Sequence, residues 1–180
     1  MSGSTNPSYG PAEYKTDKYL FFYGYELQTL SSRLQNWYPS SFTDESGNRF
    51  MTMEHYIMWR KAVLFDDNES AEKILVAATP TEAGALGRQV RNFDTAKWKA
   101  EVEKVAFEGT WLKFSQVKEC RDVLLETGNR VIAEASPVDK NWGIGFRGDE
   151  AEGKEDQWGR NLAGEALMKV RDRLKKEGKM

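Results

Sequence analysis

Glu54 and Lys61 stand seven residues apart in the run from Thr52 to Phe65, which has a helical pattern. Seven residues make about two helical turns, so both side chains share a face with Met58 between them, their Cα atoms about 10 Å apart. Two long side chains at that spacing can converge on one small ligand. If the face is buried, desolvation lowers the pKa of Lys61 and raises that of Glu54, unless an opposite charge offsets it. A neutral amine can attack a sugar carbon, and a carboxyl group can supply or accept the proton. The spacing taken alone fits better with a Glu54 placed for the helix dipole and a solvated Lys61.

A second group lies near the carboxyl third, in Glu134-Ala135-Ser136-Pro137-Val138-Asp139-Lys140-Asn141-Trp142-Gly143-Ile144-Gly145. Asp139 can polarise a water or a hydroxyl. Trp142 can stack on a base or a sugar, and Gly143 and Gly145 permit close backbone approach to a ligand. An ordinary turn, with Asp139 shaping it and Trp142 anchoring it, fits the same residues equally well.

Composition removes several alternatives. His55 is the only histidine and Cys120 the only cysteine, so no His- or Cys-rich zinc set can be assembled. No spacing argues for a magnesium site, and nothing calls for a cofactor. A lone cysteine forms no internal disulfide, which fits a reducing compartment, cytoplasmic or nuclear. Cys120 reads as a buried, inert thiol. Gly143-Ile144-Gly145 lacks the strand, turn and third glycine of a dinucleotide fingerprint, and there is no P-loop and no Gly-x-Ser-x-Gly elbow. A formal net charge of -2 gives no overall pull toward nucleic acid, although a local basic patch would suffice. No run approaches a membrane span, and the first residues lack the apolar stretch of a signal peptide. The sequence carries no signal of oligomeric state.

The elements that must position these residues follow from pattern and punctuation. Tyr19 to Tyr23, closed by Gly24, predicts a strand, and Phe42 to Phe50 predicts a hairpin turning at Asp44 to Asn48. Thr52 opens the helix that carries Glu54 and Lys61, and Asp66-Asp67-Asn68 breaks it. A second helix is expected over about Ser70 to Ala78. Thr79, Pro80 and Glu82 form a capping-box start for a third. A fourth begins at Phe93-Asp94 and buries a stripe of Trp98, Val102, Val105 and Leu112. A fifth ends at Gly128. Arg130 to Ala135 reads as a short buried strand, Ser136 to Trp158 as a long loop of the kind that is either functional or disordered, and Asn161 to Lys176 as the last helix. The expected class is α+β, predominantly helical, with a few short strands. Residues 1–17 read as a disordered tail and 18–177 as one domain.

Taken in order, these pieces resemble the NADAR family, also called YbiA-like, from about Tyr19 to about Leu174. The resemblance is carried by Asn36-Trp37-Tyr38-Pro39-Ser40, Thr52-Met53-Glu54-His55-Tyr56, Lys61-Ala62, Ala83-Gly84-Ala85-Leu86-Gly87-Arg88, and Phe93-Asp94 with Trp98. It continues through Lys113-Phe114-Ser115-Gln116, Leu124-Leu125-Glu126-Thr127-Gly128, Glu134-Ala135-Ser136-Pro137, Asp139 with Trp142-Gly143-Ile144-Gly145, and Asn161-Leu162-Ala163-Gly164-Glu165-Ala166-Leu167. The chain departs from the family where Gln35 replaces a serine, Trp37 a phenylalanine, and Ile57-Met58-Trp59-Arg60 the usual Gln- and Ala-containing run.

The resemblance implies cleavage of an N-glycosidic bond. Some members of the family hydrolyse ribosylamino-pyrimidine intermediates of riboflavin synthesis, and others remove ADP-ribose from guanine in nucleic acid. It places Glu54, Lys61, Trp98, Asp139 and Trp142 on active-site motifs and implies a lysine Schiff base with the opened ribose. The expected catalytic set is Glu54, Lys61 and Asp139. Asn36, Arg88, Trp98, Trp142, Gly143 and Gly145 are expected to bind substrate. The expected partners are ADP-ribose or a ribosyl phosphate, and ADP-ribosylated nucleic acid, with no membrane. Three readings stand open: a glycohydrolase for ADP-ribosyl-guanine, a glycosidase for riboflavin intermediates, and a non-catalytic ADP-ribose-binding module.

Overall fold

A computed structural model describes residues 9–25 and 29–178, which fall into two compact units. One is the continuous segment 39–117. The other combines residues up to 38 with those from 118 onward. Among the described residues no helix is long and apolar enough to cross a membrane.

The continuous unit opens with the hairpin β1 (Phe42–Thr43) and β2 (Arg49–Phe50), paired Phe42 to Phe50. Asp44 turns it by accepting from the N–H groups of Ser46 (3.0 Å) and Asn48 (2.9 Å). Helix α1 (Met53–Leu64) then starts at Thr52, whose hydroxyl accepts from the His55 N–H. Asp66 takes a left-handed φ of 57°, and α2 (Asn68–Leu75) follows. This helix starts two residues earlier than its apolar pattern suggests, because Asp67 is its cap rather than only a breaker. The buried Asp67 carboxylate also holds the Arg91 backbone N–H (2.9 Å) and guanidinium (2.7 Å). Helix α3 (Pro80–Arg88) is capped by Thr79 with Pro80 in its first turn, as expected. The Glu82 carboxylate accepts from the Ala78 N–H at 2.8 Å, one residue before the donor of the standard box.

Helix α4 (Thr95–Gln116) is capped by Asp94. It buries Val102, Val105, Ala106, Gly109, Thr110, Lys113 and Phe114, so the stripe ends on Lys113 and Phe114 while Leu112 is half-buried. A lysine's four-carbon stem packs as an apolar residue does. Helices α2 and α3 pack on α1 around Ala62, Phe65, Ala71, Ile74, Ala77, Ala83 and Val90. Each large side chain there adds about 1.5–3 kcal/mol by leaving water.

The second unit holds a three-stranded sheet. Strand β3 (Tyr19–Phe22) lies between β4 (Val131–Glu134), which runs parallel to it, and an antiparallel edge strand, Glu13–Lys15. The edge strand falls within the segment read from the sequence as a tail. Glu13, Tyr14 and Lys15 are all exposed, so no alternation marks it, and pairing with β3 creates it. Helix α5 (Lys118–Glu126) ends at Gly128 with φ 67°, as predicted, and Cys120 is fully buried. The long segment after β4 contains one short helix, α6 (Gly148–Ala151), and a 3₁₀ turn, Glu155–Gln157. Helix α7 (Leu162–Lys176) closes the chain and packs on β4.

Candidate active site

In the continuous unit the Glu54–Met58–Lys61 face of α1 meets the last two turns of α3. The approach is close because α3 presents Gly84 and Gly87. A Cβ at Gly87 would lie 2.0 Å from Met58 Sδ, and one at Gly84 would lie 3.1 Å from Glu54 Oε1 and 3.6 Å from the Arg88 guanidinium. The glycine pair thus brings a carboxylate, an exposed guanidinium and a half-buried amine to one stretch of surface.

The Lys61 amine donates to the Gly87 carbonyl at 2.7 Å and lies 4.3 Å from the centre of the Phe93 ring. Burial lowers its pKa below the ordinary lysine value, the Arg88 charge adds to that shift, and Glu54 opposes it. Depression of this kind raises the fraction of free amine near neutral pH, which nucleophilic attack requires. Trp98 is half-buried against the apolar cluster containing Ala62 and Phe65. His55 is buried and structural. Its Nε2 faces the Ala77 carbonyl at 3.1 Å, so that nitrogen carries the proton, and its Nδ1 faces the Thr52 hydroxyl at 2.8 Å. Burial pushes its pKa down.

The other unit holds the rest of the expected residues. Asp139 Oδ1 accepts from the N–H groups of Asn141 (2.7 Å) and Trp142 (3.0 Å), so this carboxylate shapes its own loop. Gly143 is needed for close approach, but to the chain itself. A Cβ there would lie 2.8 Å from the Glu134 carbonyl. Gly145 turns the chain with φ 76°. Backbone N–H groups of Gly159 to Ala163 donate in succession to carbonyls of the 140–144 loop, at 2.7–3.2 Å. Asn161, in a left-handed conformation, accepts from the Glu134 N–H (3.0 Å) and donates to the Ile132 carbonyl (2.9 Å). The start of α7 therefore staples the Asp139–Trp142 loop to the end of β4.

Two residues, Tyr23 and Gln35, enter this arrangement without having been expected at the site, and Asn36 joins them. Tyr23 is bonded to the Ser136 hydroxyl and feels the Glu134 and Asp139 charges; its phenol pKa is raised, chiefly by burial. Its ring stacks on Tyr9 at 5.5 Å. Gln35, with its amide turned to satisfy both neighbours, donates to Glu134 Oε1 (3.1 Å) and accepts from the Gly24 N–H (3.2 Å). Asn36 sits half-buried in the turn closed by the Tyr38 N–H to the Gln35 carbonyl. Of the expected residues, the structure therefore groups Glu54, Lys61 and Arg88 in one unit, with Trp98 in the same unit. It groups Asp139, Trp142, Gly143 and Gly145 in the other, which also holds Asn36.

Residues 21–175 match the NADAR domain family across both units. The chain is 39% identical over 165 residues to N-glycosidase R617 of Acanthamoeba polyphaga mimivirus, covering 88% of this chain and 97% of that protein. It is 33% identical to Protein irg-1 of Caenorhabditis elegans, covering 91% and 82%. It is also 33% identical to Riboflavin biosynthesis protein VVA0006 of Vibrio vulnificus, covering 84% of this chain but 38% of that one. Among solved structures, the NMR structure of Escherichia coli YbiA superposes with a TM-score of 0.73 at 25% identity, covering 93% of this chain and 90% of YbiA.

Proposed function

The chain belongs to the NADAR domain family as an N-glycosidase, and we propose that it removes ADP-ribose from guanine bases of nucleic acid through a lysine imine. The observation that carries the reading is the depressed, half-buried amine of Lys61, held beside Glu54 and Arg88. An amine tuned this way suits covalent attack on a sugar carbon better than plain water activation does.

In the proposed sequence a carboxylic acid, Glu54 or Asp139, protonates the ribose ring oxygen and the ring opens at the anomeric carbon. Lys61 Nζ adds to that carbon. The carbon–base bond breaks, the base leaves with a proton, and an imine joins the sugar to Lys61. Water, deprotonated by a carboxylate, adds to the imine carbon; the carbon–Nζ bond then breaks and frees the sugar aldehyde, which recloses. Arg88 meets a phosphate, while Trp98 and Trp142 hold the base or ribose by stacking. Asn36, Gly143 and Gly145 are proposed to complete substrate binding.

A second reading, cleavage of ribosylamino-pyrimidine phosphates, is favoured by relatives named for riboflavin biosynthesis. Mass-resolved assays with both substrates side by side separate the two. Release of ADP-ribose from modified guanine, with the pyrimidine intermediate inert, supports the proposal. The reverse selectivity replaces it with the second reading, and stoichiometric binding without product reduces the chain to an ADP-ribose-binding module.

A further inference from the structure

The ring of Phe93 faces the Lys61 amine, its centre 4.3 Å from Nζ. It is 43% exposed, although most large apolar side chains of this unit are buried. Its one ring neighbour among the described residues is Phe65, edge-on at 5.2 Å. The backbone around it is fixed on both sides. Arg91 is clamped by Asp67, Asn92 takes a left-handed φ of 57°, and Asp94 caps α4 by accepting from the Lys97 N–H at 2.7 Å. The backbone on either side of Phe93 is thus held while its ring stays half in solvent, which suits a preorganised contact surface rather than a core plug.

We propose that Phe93 is a substrate-contacting, specificity-determining residue that covers the sugar carbon attacked by Lys61 and stacks on the departing base. The inference rests on the reading of Lys61 as the nucleophile. Any carbon joined to Nζ lies about 1.5 Å from it. With Nζ only 4.3 Å from the ring centre, that carbon lies within about 6 Å of it, close enough for the groups it carries to meet the ring face. The base is one of those groups until its bond breaks. A flat π face then favours a wide, planar purine over a smaller ring and keeps bulk water off that side of the forming imine.

The test uses an oligonucleotide carrying ADP-ribosyl-guanine, with borohydride trapping on the wild type as an internal control. Phe93→Leu and Phe93→Met keep an apolar side chain against Phe65 and remove the π face. Phe93→Tyr keeps it. Circular dichroism melts check that each variant is folded. The expected result is a KM about tenfold higher for the two non-aromatic variants, with kcat changed less than about threefold and KM restored in Phe93→Tyr. Wild-type kinetics in either folded non-aromatic variant, alongside a trapped wild-type Lys61 adduct, overturn the inference and leave the Lys61 reading intact. Wild-type turnover that leaves no adduct removes the Lys61 reading and this inference with it.

Discussion

The Lys61 amine donates to the backbone carbonyl of Gly87 across the contact between α1 and α3, at 2.7 Å. Gly87 sits there because α3 can approach α1 this closely only without a side chain at that position. One contact therefore ties the packing of two helices to the placement of the candidate nucleophile.

The ionisation of Lys61 should move in opposite directions in two variants. The Arg88 charge lowers its pKa and the Glu54 carboxylate raises it. Removing the guanidinium in Arg88→Ala should raise the pKa and shift the acid limb of kcat/KM to higher pH. Glu54→Gln should lower it. Reductive methylation of Lys61 as a function of pH, followed by mass spectrometry, reads the amine without relying on turnover. Equal titration midpoints in all three proteins would show that burial alone sets the value.

Gly87→Ala should destabilise the fold by about 1–3 kcal/mol, as overpacking does, despite alanine's better helix propensity. A Cβ there would collide with Met58 at 2.0 Å and push the Gly87 carbonyl away from Lys61. Shortening the obstructing side chain in Gly87→Ala/Met58→Ala should recover part of the loss, as a double-mutant cycle in urea melts would register. Additive losses would mean that the two residues do not meet.

Asn161→Ala should cost about 2–4 kcal/mol, because the Glu134 N–H and the Ile132 carbonyl each lose a partner. Asn161→Gly relieves the left-handed backbone but not the hydrogen bonds, so it should remain well below the wild type. The reporter is hydrogen exchange at Glu134, which should speed up in both variants. Unchanged protection would remove the staple from the account.

Local chemistry was the legible part of this fold. Thr52, Thr79 and Pro80 announce their helices because a cap and its donors lie within four residues. The Glu54–Lys61 face followed from helical periodicity alone, and the family resemblance gave it a reaction. What stayed hidden depends on partners distant in sequence. Asn161 reaches residues 27 and 29 positions away. Asp67 looked like a helix breaker, whereas Arg91, 24 residues on, makes it a clamp. Lys113 carries a charge that disguises a fully buried position. Phe93 lay beside a helix cap in the sequence, and only the loop geometry brings its ring to Lys61.

The central claim is that Lys61 forms the covalent link to the sugar. Borohydride added during turnover of ADP-ribosyl-guanine should leave a reduced sugar adduct on Lys61 and on no other residue, and Lys61→Ala should lose at least about 10³-fold in kcat. No adduct, together with a Lys61→Ala variant that stays active, would contradict the account and assign the cleavage to direct attack by water.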